Sequence, residues 1–172
     1  MKIIAFDPGK ITSYAIFDTA MPYDVTIGEV DEIGVGRLRR PCGLHVARLA
    51  EGCDTGIVEE VGARSGQGVS SMFTFGLCTA VPLTVLAALA IPCETVTPPT
   101  WKKASRITAE NEEGKTQARL YATQLWPQHK DILKVKKNHG MADAALMARW
   151  FFLKGPGRDA ATAETVEVLS AA

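Results

Sequence analysis

Three acidic residues of this chain stand among apolar neighbours, where an unpaired charge is costly. Asp7 closes the run Ile3-Ile4-Ala5-Phe6 and precedes Pro8-Gly9, Glu59 follows Ile57-Val58, and Asp143 lies among Met141, Ala142, Ala144, Ala145 and Leu146. Carboxylates brought together in a core repel one another unless a cation lies between them. Three of them from distant segments, with His139 four residues before the last, are ligand types that suit a pair of hard cations. Magnesium prefers oxygen ligands and keeps waters, and two such ions can activate an attacking water and stabilise the leaving oxygen in phosphodiester hydrolysis.

Each residue also has a plainer reading. Asp-Pro-Gly is a common turn sequence, and Asp7 by itself fits a turn as well as a site. Glu59 and Glu60 point to opposite faces of a strand, so only one can join the cluster, and the alternation favours Glu59. Asp143 also suits an exposed position near a helix N-terminus, where the dipole favours negative charge. His139 is of a type that more often caps a helix or faces solvent than binds a metal.

The elements that must position these residues follow from periodicity. Lys2 to Phe6 and Ser13 to Asp18 form a hairpin, and Asp24 to Val30 adds a third antiparallel strand. A helix is expected from about Cys42 to Gly52, then a short buried strand from Thr55 to Val61 that delivers Glu59. Ser70 to Leu89 reads as a buried central helix, kinked or divided at Pro82. Its Met72, Phe73 and Phe75 suit core packing, with a dimer contact or a DNA wedge as the alternatives. Cys93 to Val96 is a brief strand, followed by a short helix at Trp101 and a further helix from Lys115 to Trp126. Pro127 to Asn138 reads as a polar connector, and Gly140 to Leu153 as the last packed helix. The expected fold is α/β, an RNase H-like mixed sheet of about five strands, the first three antiparallel, with helices on both faces. Residues 1–154 are expected to form this one domain and residues 155–172 a flexible tail.

Composition narrows the function classes. The 172 residues suit one domain. The longest apolar run, Ala80 to Ile91, is short for a membrane span and the N-terminus lacks a signal-peptide pattern, so a cytoplasmic protein is expected. Cys42, Cys53, Cys78 and Cys93 have neither zinc-site nor disulfide-scaffold spacing and read as reduced, mostly buried thiols. The formal net charge of zero conceals a segregation: residues 1–94 carry −4, residues 95–154 carry +6 and the remainder −2. Positive charge gathered on one surface can bind a polyanion whatever the total. Lys102, Lys103, Lys136 and Lys137 flank the presumed site and are candidate phosphate contacts, with Arg64 and Gln67 in the loop after Glu59 as further DNA contacts.

The segments FDPGK, VEEVGARSGQGVSSMFTFG, VTPPTWKK and KKNHGMADAALMA, in this order, resemble the RuvC family of Holliday-junction resolvases, in particular its phage-type branch, over about residues 3–153. The resemblance implies an RNase H-like homodimer that nicks paired strands of branched DNA symmetrically with Mg2+, or with Mn2+ in its place. It implies that Asp7, Glu59 and Asp143 are metal ligands and that His139 is the fourth member of the site, as a ligand or an acid/base. Familiar bacterial members carry their fourth residue three before the final Asp, where this chain has Gly140, and Asn138 is a second candidate for that corner. They also carry an aromatic soon after the Glu, where this chain has Gly62 and Ala63.

Two other readings keep the same residues. One is a broader nuclease on forks and flaps, since a ligand set does not encode junction shape; the other is a branched-DNA-binding protein with impaired catalysis, since His139 is not a carboxylate. A nucleotide-binding protein of the actin and sugar-kinase type also begins with Asp-x-Gly after a strand, but it needs a second repeat of the fold for which this chain is too short.

Overall fold

In the computed structural model of the chain, residues 1–60, 62, 66 and 68–153 are described. Strands β1 (Lys2–Asp7), β2 (Ser13–Asp18) and β3 (Val25–Glu29) form an antiparallel meander, followed by a two-residue ladder of β4 (Glu32–Ile33) with β5 (Arg40–Pro41). Then come α1 (Gly43–Ala50), β6 (Thr55–Glu59), α2 (Val69–Ala88), β7 (Cys93–Val96), α3 (Pro98–Ala104), α4 (Asn111–Leu125), α5 (Lys130–Leu133) and α6 (His139–Leu153). The main sheet has the order β3-β2-β1-β6-β7, with β6 parallel to both β1 and β7. This is the expected mixed five-stranded α/β sheet with helices on both faces.

Strand alternation divides the core in two. Ile3, Ala5, Ala15, Phe17 and Ile57 face a core shared with α3, α4 and α6. Ile4, Phe6 and Val58 face the other way, toward Val46 and Ala50 of α1 and Leu86 of α2. The same alternation carries Asp7 and Glu59 to the α6 side. Because Phe6 pairs with Val58 in the parallel ladder, the two acids arrive side by side where their strands end. Small residues let α6 lie close on the sheet: Gly140, Ala142, Ala144, Ala145 and Ala148 are all buried.

Some local expectations change. The segment from Val69 to Ala88 is one helix containing Pro82, not two, and it is not a buried central helix, because only Cys78, Pro82 and Leu86 are buried. By length and composition alone α2 could cross a membrane. Phe73 is exposed and Met72 and Phe75 only half-buried, so the aromatic stripe lies outside the core. Pro98 and Pro99 open α3 rather than precede it, as suits residues whose fixed φ and missing N–H fit a first helical turn. The connector before α6 contains α5 between two 3-10 turns. The expected flexible tail, residues 155–172, lies outside the described residues.

Candidate active site

Asp7 stands at the last position of β1, Glu59 at the last position of β6, and Asp143 in the first turns of α6, which packs across β1 and β2. Glu59 and Asp143 are 7% and 6% exposed, deep enough for their charges to interact strongly. Asp7 is held well above the usual carboxylate range, first by burial, then by the charges of Glu59 and Asp143 and a hydrogen bond with Glu59. Asp143 is pushed up to about 7, chiefly by burial and further by Glu59, while Lys102 and Lys115 act in the opposite direction. Asp7 and Asp143, at one end of the sheet, thus hold protons more tightly than they would in water. Buried acids raised by one another in this way mark a candidate functional site.

The donor set suits a hard divalent cation. All three side chains offer oxygens, their mutual repulsion would be relieved by positive charge, and Asp143 Oδ1 is buried without a hydrogen-bond partner. The carboxylates do not close into a ready-made cage: among the described residues no three His, Cys, Asp or Glu groups stand together at metal-holding spacing.

Glu59 is further fixed by the fully buried Trp101, whose Nε1–H donates to Glu59 Oε1 at 2.8 Å. Glu60 has the opposite orientation and is exposed, with Thr95 Oγ1 donating to its Oε2 at 3.5 Å. The alternation argument therefore separates the two glutamates in the folded chain as well.

The fourth corner is closed by backbone. A Cβ added at Gly140 would lie 2.7 Å from both Asp7 Oδ2 and Ser13 Oγ, so no side chain enters there unless Asp7 moves. His139, one residue earlier, sets its Nδ1 3.3 Å from the Lys136 carbonyl oxygen. Burial is the main cause that holds its pKa below the ordinary value; the charged groups acting on it are Lys115, Glu112 and Lys102, and none of the three clustered carboxylates is among them. Asn138 turns away, donating through Nδ2 to the Ile132 carbonyl at 2.9 Å. The structure brings Asp7, Glu59 and Asp143 together and leaves His139 and Asn138 on the flank.

Basic groups line that flank. Lys102 acts electrostatically on Asp7, Asp143 and His139, and its Nζ stands 5.2 Å from the centroid of the Trp101 ring. Lys103, Lys136 and Lys137 are exposed, whereas Arg64 and Gln67 lie outside the described residues. Sequence reasoning missed Lys115, which pairs with Glu112 at 2.7 Å while acting on Asp143 and His139. Its role depends on α4 packing beside α6, which leaves no local signal. Trp101 and Gly140 were missed as well, although each had one. A buried indole needs an acceptor, and a glycine inside a good helix usually marks a close approach.

Comparison with solved structures places this arrangement in a known fold. Thermus thermophilus RuvC in complex with a Holliday junction substrate superposes with a TM-score of 0.56 at 15% sequence identity, covering 86% of this chain and 90% of that one. A second Thermus thermophilus RuvC structure gives a TM-score of 0.54 at 16% identity, covering 93% and 97%. The fold is the RNase H-like fold of RuvC. Neither a protein-family model nor a curated protein matches the sequence. At such identity the RuvC-like likeness is one of backbone, and residue roles must come from the geometry of this chain.

Proposed function

We propose that this protein is a metal-dependent endonuclease that resolves Holliday junctions by paired nicking of branched DNA, acting as a homodimer on each of two strands. The observation that carries the reading is the convergence of Asp7, Glu59 and Asp143 under α6, with Asp7 and Asp143 both raised by burial and by neighbouring carboxylate charge. Asp7, Glu59 and Asp143 would hold Mg2+, with Mn2+ able to substitute. The bound ions supply Lewis acidity and a water of lowered pKa, the requirements of phosphodiester hydrolysis.

The rest of the work falls to side chains of this chain. Lys102 and Lys115 place positive charge beside the carboxylates and can hold the scissile phosphate against their repulsion. Lys103, Lys136 and Lys137 extend that charge outward, where phosphate contacts set the register of a duplex arm without reading its sequence. His139, with a depressed pKa and half-buried beside Lys102 and Lys115, is available as a neutral proton acceptor on the flank. The under-buried face of α2, carrying Val69 and Phe73, supports a two-fold pairing in which two sites meet two symmetric strands.

The test is Mg2+-dependent cleavage of four-way, three-way, flap and linear DNA by the wild type and Asp7→Asn. Paired nicks confined to the four-way junction and lost in Asp7→Asn are expected. Equal cutting of forks and flaps would replace junction resolution with a broader structure-selective nuclease. Junction binding without cleavage by the wild type would leave a binding protein.

A further inference from the structure

We propose that Trp101 is a positioning residue for the active site, its indole N–H fixing the Glu59 carboxylate in the orientation that metal binding requires. The proposal rests on the nuclease reading above and concerns the residue that makes Glu59 a competent ligand. Glu59 ends β6 opposite Val96 of the parallel strand β7, and the chain leaves β7 directly into α3 through extended Thr97 (φ −77°, ψ 146°) and two prolines at the helix start. That short, pre-set connection returns Trp101 over the end of β6, where the ring is fully buried and Nε1–H meets Glu59 Oε1 at 2.8 Å.

A glutamate carboxylate rotates about a broad terminal torsion, so burial by itself does not choose its orientation. Indole donates and cannot accept, so it binds the carboxylate as an acceptor, and the same carboxylate shares a hydrogen bond with Asp7. The same ring lies beneath Lys102, whose charge acts on Asp7 and Asp143. One buried side chain therefore orients an acid and backs a base of the same site.

The molecule contains its own control. Trp126 is equally buried, and its indole donates to the Pro22 carbonyl oxygen at 3.2 Å, beyond the end of β2 and at the opposite end of the strands from Asp7. Removing either N–H sacrifices one indole hydrogen bond, but only one of the two bonds holds a carboxylate of the proposed site.

The experiment compares Trp101→Phe with Trp126→Phe in the full chain. Thermal melts are run on both, Mn2+ binding is measured by calorimetry on chelator-treated protein, and kcat and KM are measured on a four-way junction. Both variants should melt a few degrees lower, while only Trp101→Phe weakens Mn2+ binding and lowers kcat, each by roughly 10–100-fold, with KM for DNA unchanged. Trp101→His, which retains a ring N–H, should recover part of the Mn2+ affinity, and Trp101→Phe should add no further loss in a Glu59→Gln background. Equal Mn2+ affinity and equal kcat in the two Phe variants would overturn the proposal and leave the nuclease reading intact. Selective loss of Mn2+ binding in Trp101→Phe of a wild type that cuts no DNA would uphold it and remove that reading.

Discussion

Helices α2 and α6 are both apolar, both longer than a dozen residues and both packed on the central sheet, yet the fold treats them oppositely. Twelve of the 15 residues of α6 are buried, against three of the 20 in α2. The difference lies in what each helix packs against. α6 lies across β1, β2 and β3 and is flanked by α3 and α4, whereas α2 rests on α1, β5 and β6 and turns the rest of its surface outward, with Val69 78% and Phe73 54% exposed. Hydrophobic composition shows that a helix needs cover; it does not show what covers it. In α6 the cover is complete, so a single carboxylate inside it becomes chemically unusual. In α2 the cover is incomplete, which is the reason for assigning that face to a second copy.

The contrast can be tested from its most sensitive point outward. Asp143→Asn removes the charge that α6 buries. Junction cleavage should fall by about 10³-fold or more, the scale of several kcal/mol of lost transition-state stabilisation, while gel-shift binding of the junction persists. Preserved cleavage would detach α6 from the chemistry.

Gly140→Ala comes next. In an open helix this change stabilises by about 1 kcal/mol, but here the added methyl lies 2.7 Å from Asp7 Oδ2. Cleavage should drop by about 10²-fold through displacement of Asp7, with a smaller effect on the melting temperature. Full activity would show that Asp7 has room to adjust.

Stability against pH follows from the direction of the Asp143 shift. Its folded pKa of about 7 lies above the ordinary aspartate value, so the folded state retains the proton that the unfolded state releases first. In chelator, this group should lower stability as pH rises from about 4 to 7, with Asp7 acting in the same direction. At pH 8 metal-free Asp143→Asn should therefore melt above the wild type, by about 2–4 °C for each kcal/mol recovered. A lower melting point for the variant at that pH would contradict the buried-charge account.

The smallest effect on the fold is expected at α2. Phe73→Asp, at a half-exposed position, should change unfolding free energy by no more than about 0.5 kcal/mol while halving the sedimenting mass of a dimer. An unchanged mass would move the interface elsewhere or remove it.

Much of this architecture was legible in the chain. Period-two alternation sets Ile3, Ala5 and Asp7 on one face and Ile57 and Glu59 on the same one, because a strand offers its side chains only two directions. The meander, the buried β6 and the final helix follow from the same local rules. The acidic trio could be singled out because carboxylates interrupting apolar runs are rare without a purpose. His139 was less tractable: a spacing of four residues places it on the face of Asp143, but at the first turn of a helix its ring reaches back to Lys136 instead.

What the sequence determined by itself is the set of elements and the face on which each acid would emerge, since both depend on neighbours a few residues away. Tertiary structure alone decided the company those acids keep. Trp101 reaches Glu59 across 42 positions, Lys115 acts on Asp143 from another helix, and Gly140 matters because α6 descends onto Asp7 and Ser13. Such contacts are set by how close two elements pack, and packing distance depends on every side chain between them, not on the local pattern of either.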